Sequence, residues 1–159
     1  IKLLEENNYH YTYIIAGKGD HNRLKSLIKS HNLESAKIYY IGFVDNINLV
    51  YLYKYTDIFV LPSYYENLPI SLLEAMSMKC CCISTNVGAV EEIIDTNING
   101  LLINAGDYKS LSSNIQYLVE NPKLMATYGA KARGKVLKNF RSDVMASKTL
   151  KFYKKITDT

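Results

Sequence analysis

The chain has 159 residues, 48% hydrophobic and 21% charged, with a formal net charge of +4; that suffices for one ordinary core and is too short for two domains of typical size. No apolar run approaches the roughly 20 residues that cross a bilayer, and the opening "IKLLEENNYH" is polar and acidic where a secretory leader is basic and then apolar. The three cysteines are consecutive at 80–82 with no spaced Cys or His partner, a poor arrangement for disulfides or zinc, so they are expected to be small buried apolar thiols in a reducing, cytoplasmic setting.

The first residues read as helix and lack an initial Met, and the chain is expected to be a piece of a longer protein. "YTYIIAG" (11–17) is a β-rich run ending in glycine, and in "HNRLKSLIKSHN" (21–32) Leu24, Leu27 and Ile28 recur at helical spacing. The alternation continues with strand "KIYYIGFV", helix "INLVYLYKY", strand "DIFVLPS" and helix "PISLLEAMSM". A strand at "KCCCIST", a short helix at "AVEEII" and a short strand at "NGLLIN" follow, then helices near 107–120, 122–138 and 142–155. Repeated strand-helix alternation predicts an α/β fold, a Rossmann-like parallel sheet flanked by helices, in a single domain over 1–159.

Ligands of open parallel sheets bind at the carboxyl ends of the strands, which directs attention to "GKGD", "GFVDN", "PSYYENLP" and "TNVGA". "GKGD" offers two glycines before a helix start, either a tight turn or a surface for an anion; it matches neither the dinucleotide fingerprint nor a P-loop. "GFVDN" could present backbone amides to a flat heterocycle, or it could equally be core packing followed by an Asp or Asn helix cap. In "SYYENLPISLLEAM", Pro69 fits the first helical position, the helix amides face the loop that carries Glu66, and Glu74 lies about 7 to 8 Å further along the axis. Paired carboxylates suit vicinal diols of a ribose or sugar, although spacing alone slightly favours an exposed helical stripe of Ser71, Glu74 and Met78 with Glu66 in an exposed loop. In "STNVGAVEEII", Glu91 and Glu92 suit the first turn of a helix. The basic charge is C-terminal: residues 122–156 carry ten Lys or Arg and one acid, whereas residues 1–121 carry nine bases and thirteen acids.

Taken in order, "IIAGKGD", "IGFVDNINLVYLYKYTDIFVLPSYYENLPISLLEAM", "ISTNVGAVEEII" and "NGLLINAGD" resemble the C-terminal, donor-binding half of the GT-B glycosyltransferases of family 4, or group 1. The resemblance covers roughly residues 9–120, and it implies a retaining transferase acting on a UDP- or GDP-linked sugar, with no cofactor and no metal. It places the family's E-x7-E pair on Glu66, beside the donor sugar and orienting it as the catalytic carboxylate, and on Glu74, at the nucleotide ribose. The loop from Asn67 through Leu68 to Pro69, with the helix start at Ile70 and Ser71, would give backbone donors to sugar or diphosphate. Gly42, Phe43 and Val44 would hold the base, Gly17, Lys18 and Gly19 would line the diphosphate side, and Gly88 and Glu92 match the later glycine-acid motif.

Where many relatives carry glycines flanking an aromatic, this chain has "NLP", which bears on the sugar rather than on the chemistry. The family's phosphate-binding Arg and Lys fall before residue 1, and the acceptor site belongs to an N-terminal domain of the same protein; the chain alone is expected to be inactive. None of His10, His21 or His31 falls at a catalytic position. A glycan or lipid-linked acceptor is expected, as in polysaccharide or lipopolysaccharide assembly, with the basic C-terminal helices approaching the inner face of an anionic membrane. The other readings are a non-catalytic nucleotide-sugar-binding or partner-binding module, and a glycoside hydrolase, whose carboxylate pair would explain neither the sheet loops nor the helix start. Nucleic acid is not expected as a partner, because the basic residues lie along helices without a recognition motif.

Overall fold

The computed structural model describes residues 1–157. Elements follow the order α1 (Lys2–Glu6), β1 (Thr12–Ala16), α2 (His21–Ser30), β2 (Lys37–Gly42), α3 (Asn46–Lys54), β3 (Ile58–Leu61), α4 (Ile70–Ser77), β4 (Cys81–Thr85), α5 (Val90–Ile93), β5 (Leu101–Ile103), α6 (Tyr108–Glu120), α7 (Pro122–Asn139) and α8 (Ser142–Thr157). Every strand and helix expected from the sequence is present. All strand pairs are parallel, but they form two ladders, β1-β2 and β3-β4-β5, where a single sheet was expected. Local alternation dictates parallel strands and crossover helices; which strands pair is decided by contacts between distant segments, to which a periodicity is blind.

The core is built around β4, all five residues of which are buried. Side chains alternate across a strand, so Cys80 and Cys82 face Leu72 and Met76 of α4, Val90 and Ile93 of α5, and Ala132 and Val136 of α7. Cys81 and Ile83 face the other way, toward Leu101 and Ile103 of β5, Leu118 of α6 and Tyr128 of α7. A strand covered on both faces tolerates only small or apolar residues, which is why three consecutive thiols fit here. Burial raises all three, Cys80 to about 11 and Cys81 to about 12, so they stay protonated. Helix α7 lies directly on the α4-β4 turn: a Cβ on Gly129 would stand 2.1 Å from the Lys79 carbonyl oxygen, and the Arg133 guanidinium donates to the Ser77 carbonyl.

By contrast β1 and β2 are half-exposed, with Ile14, Tyr39 and Ile41 open to solvent. Their register slips between Ile15 and Ala16, so that Ala16 pairs with Gly42 and Ile41 is extra. This bulge lies at the carboxyl ends of the two strands, where bulges commonly re-aim the chain. The N-termini of α2, α3 and α6 are capped by aspartates: Asp20 accepts from Asn22 and Arg23 N–H, Asp45 from Asn48 N–H, and Asp107 from Ser110 N–H. Helix α4 differs. Its first helical residue is Ile70, and Pro69, expected at that position, is instead the N-cap, because its ψ of 106° keeps it extended. No side chain caps α4, so the N–H groups of its first turn have no partner within the helix or from a cap.

Candidate functional site

The carboxyl ends of β1 and β2 are joined into one surface. The Gly17 N–H donates to the Gly42 carbonyl at 2.7 Å, and both glycines have positive φ, 130° and 64°, a conformation that suits residues without a Cβ. The Tyr40 hydroxyl stands 3.0 Å from the Gly17 carbonyl oxygen and 3.1 Å from that of Gly19, and accepts the Gly19 N–H at 3.0 Å. His21 stacks on the Tyr40 ring. Lys18 reaches back over Phe43, its ammonium 5.4 Å from the ring centroid, a cation–π contact. The Phe43 ring is 70% exposed, and a flat group could lie against it. Val44 beside it is half-buried, and Asp45 then caps α3, as one of the two open readings of "GFVDN" required.

A second cluster of candidate residues lies in the connection between β3 and α4. The Thr85 hydroxyl, at the end of β4, donates to the Ser63 carbonyl at 2.6 Å, and the Ser63 hydroxyl donates to Glu66 Oε1 at 2.7 Å. The Glu66 carboxylate is thus held by a chain of hydrogen bonds that starts in the buried strand. From the opposite side Gly88 presses on the same loop. Its φ is 56°, and a Cβ there would stand 1.8 Å from the Glu66 carbonyl oxygen, while the Ala89 N–H donates to the Asn67 carbonyl at 3.1 Å. Leu68 packs against the core, Pro69 is buried, and Asn67 and Ile70 are exposed with Ser71 half-exposed. Glu74, in the second turn of α4, is half-buried and accepts a hydrogen bond from the Tyr53 hydroxyl at 3.2 Å.

The structure therefore brings Glu66, Asn67 and Gly88 together, and separately Gly17, Lys18, Gly19, Gly42 and Phe43. Glu92 is exposed on the four-residue α5, and no hydrogen bond joins its carboxylate to the glutamate pair among the described residues. Besides Ser63, which lies only three residues from its partner Glu66, three residues that hold the site from distant segments had no assigned role in the sequence, namely Tyr40, Tyr53 and Thr85. Each sits inside a strand or helix pattern, where an amphipathic side chain reads as packing, and its partner is more than twenty residues away. Both site carboxylates accept hydroxyl hydrogen bonds while keeping further lone pairs for a ligand. The uncapped first turn of α4 adds free backbone N–H donors of the kind that suit an anion.

The family described as Glycosyl transferases group 1 matches residues 1–135. An uncharacterised glycosyltransferase of Methanocaldococcus jannaschii is 29% identical over 96% of the chain and 39% of its own length. The N,N'-diacetylbacillosaminyl-diphospho-undecaprenol alpha-1,3-N-acetylgalactosaminyltransferase of Campylobacter jejuni is 32% identical over 91% of the chain and 37% of its own length. The chain thus spans about two fifths of the length of these relatives. Among solved structures, a glycosyltransferase from Rickettsia africae superposes with a TM-score of 0.81 at 27% identity, covering 98% of the chain and 43% of that protein. HepE of Anabaena, solved with UDP, shares the fold with a TM-score of 0.84 at 19% identity, covering 97% of the chain and 44% of that protein.

Proposed function

The chain belongs to the glycosyl transferases of group 1, and from that membership we propose that it is the donor-binding half of a retaining transferase that takes a UDP- or GDP-linked sugar. The observation that carries the reading is the β3-α4 connection: two carboxylates, Glu66 and Glu74, each held by a hydroxyl, flank a helix start that no side chain caps. A donor of this class has a sugar, a diphosphate and a ribose in series. The sugar hydroxyls meet Glu66, the diphosphate meets the N–H groups of Ile70 and Ser71 with the Gly17–Gly19 turn opposite, and the ribose diol meets Glu74. The base lies along Gly42, Phe43 and Val44, with the exposed Phe43 ring as its cover. In this reading the exposed Glu92 belongs to the rim of the donor site and makes no contact with the pair.

In the transfer, the bond between the anomeric carbon and the diphosphate oxygen breaks while the acceptor oxygen bonds to the same face of that carbon. The acceptor proton passes to the departing phosphate oxygen. Helix amides aimed at that phosphate stabilise charge that grows in the transition state, the kind of interaction that raises kcat rather than binding alone. Glu66, fixed by Ser63, orients the ring and does not form a bond to it. The acceptor is a glycan or a lipid-linked glycan bound by an N-terminal domain of the same protein; the Campylobacter relative is named for a lipid diphosphate acceptor. No helix among the described residues is long and apolar enough to cross a membrane. Helix α8 exposes Lys148, Lys151 and Lys154 together with Met145, Leu150 and Phe152, a composition suited to contact with an anionic membrane at the cytoplasmic face.

Calorimetric titration of the protein with UDP, GDP and ADP, repeated on Glu74→Gln, tests the reading. One nucleotide is expected to bind selectively and to weaken in the variant. Absence of binding to all three, or equal binding by the variant, refutes it.

A further inference from the structure

Helix α3 begins immediately after the end of β2, at the loop assigned to the base, and ends against α4. Its residue Tyr53 is 6% exposed and is held at three points. The Cys80 thiol donates to its carbonyl oxygen at 3.1 Å, its ring meets Phe59 edge-on with centroids 5.8 Å apart, and its hydroxyl donates to Glu74 Oε2 at 3.2 Å. Burial, reinforced by the Glu74 charge, raises the Tyr53 hydroxyl far above its ordinary value, so it remains a donor at any working pH. Cys80 is likewise kept protonated by burial. The residue that fixes Glu74 is therefore itself held by Cys80, which directly precedes the central strand.

A free glutamate side chain samples many rotamers, and a ligand that orders it loses affinity to that ordering. A hydroxyl already bound to Oε2 does part of this ordering during folding. It leaves Oε1, which has no hydrogen-bond partner among the described residues, for an incoming hydroxyl. We propose that Tyr53 is a positioning residue that holds the Glu74 carboxylate ready for the ribose diol, and that α3 thereby couples the base end of the site to the ribose end. This rests on the reading of Glu74 as the ribose carboxylate. Tyr53 acts only through Glu74 and touches neither the sugar nor the anomeric carbon, so its effect falls on nucleotide affinity and hardly on the chemical step.

The test compares Tyr53→Phe, which keeps the buried ring and the Phe59 contact, with the unaltered full-length protein. Binding is measured for whichever of UDP or GDP the protein takes, and for the same diphosphate carrying 2′,3′-dideoxyribose. A hydrogen bond to a charged group is worth about a tenfold change in affinity. The variant should bind the ribonucleotide about tenfold more weakly, bind the dideoxy nucleotide as the unaltered protein does, and keep kcat within about threefold. In a Glu74→Ala background, where no acceptor is left for the Tyr53 hydroxyl, the same substitution should cost little more, because the interaction it removes is already lost. Equal losses for both nucleotides, or a lowered melting temperature with unchanged ribonucleotide affinity, would show a packing role only and overturn the proposal. If the unaltered protein binds neither nucleotide, the donor reading fails and this inference with it; if it binds and discriminates the ribose while Tyr53→Phe changes nothing, only the inference fails.

Discussion

Gly88→Ala probes the contact that braces the Glu66 loop. The φ of 56° at this position costs an L-residue about 1–2 kcal/mol, and the new Cβ would stand 1.8 Å from the Glu66 carbonyl oxygen, which must retreat by about 1.2 Å to reach 3.0 Å. That oxygen belongs to the backbone of a loop tied on its other flank by the Thr85 and Ser63 hydrogen bonds, so the whole segment from Ser63 to Asn67 has to move or the turn at Gly88 has to open. A displacement of about 1 Å at a catalytic group costs roughly a hundredfold in rate. The expected result is a fall in kcat of about a hundredfold and a destabilisation of about 2–3 kcal/mol, which lowers the melting temperature by about 4–12 °C at this size. Steady-state kinetics of the full-length protein with the donor varied, beside thermal unfolding, measures both. Gly134→Ala is the control: nothing lies within 4 Å of its Cβ position on α7, and alanine in an exposed helix should stabilise by about 0.5–1 kcal/mol. A Gly88→Ala protein with kcat within twofold of the unaltered one would refute the bracing argument.

Two further outcomes follow from charges. The helix-capping hydrogen bonds from Ser110 and Asn48 hold Asp107 and Asp45 below their ordinary value of 3.8; a folded value below the unfolded one adds stability above pH 3.8 that is lost as pH falls through the lowered value. Unfolding midpoints recorded from pH 6 to pH 2 should therefore fall less steeply for Asp107→Asn, which caps without titrating, and identical slopes would contradict the assignment. Reversing the charge at Lys148, Lys151 and Lys154 together should abolish sedimentation of the full-length protein with vesicles containing phosphatidylserine, while leaving nucleotide titrations unchanged. Undiminished vesicle binding would remove α8 as the membrane contact.

Much of the fold was legible because its causes are local. The alternation of β-rich runs with helical spacings depends on neighbours within one turn or one pleat, and each predicted element lies within one or two residues of its observed limits. Asp45 caps α3 for a reason visible over three residues. What the sequence withheld is non-local. Nothing near Ile15 or Phe59 tells that β1 and β3 stand in separate ladders, and nothing near Tyr53 tells that its hydroxyl meets a carboxylate 21 positions on. The glycine at 88 was legible as a turn, yet its physical reason, the closeness of the Glu66 carbonyl, exists only once β4 lies against β3. For the glutamate pair, spacing alone slightly favoured an exposed stripe, and only the resemblance carried by all four loops in order pointed to a binding role.

The run Cys80–Cys82 also makes the protein its own chemical clock. Its thiols are at most 2% exposed and protonated, so a thiol-specific alkylating reagent reaches them only when the segment around β4 opens. Adjacent thiols that point to opposite faces would then be modified together if the core opens as a unit, and one face ahead of the other if either helical layer peels away first. The mass of the labelled chain, read over time, distinguishes those two routes without any added probe.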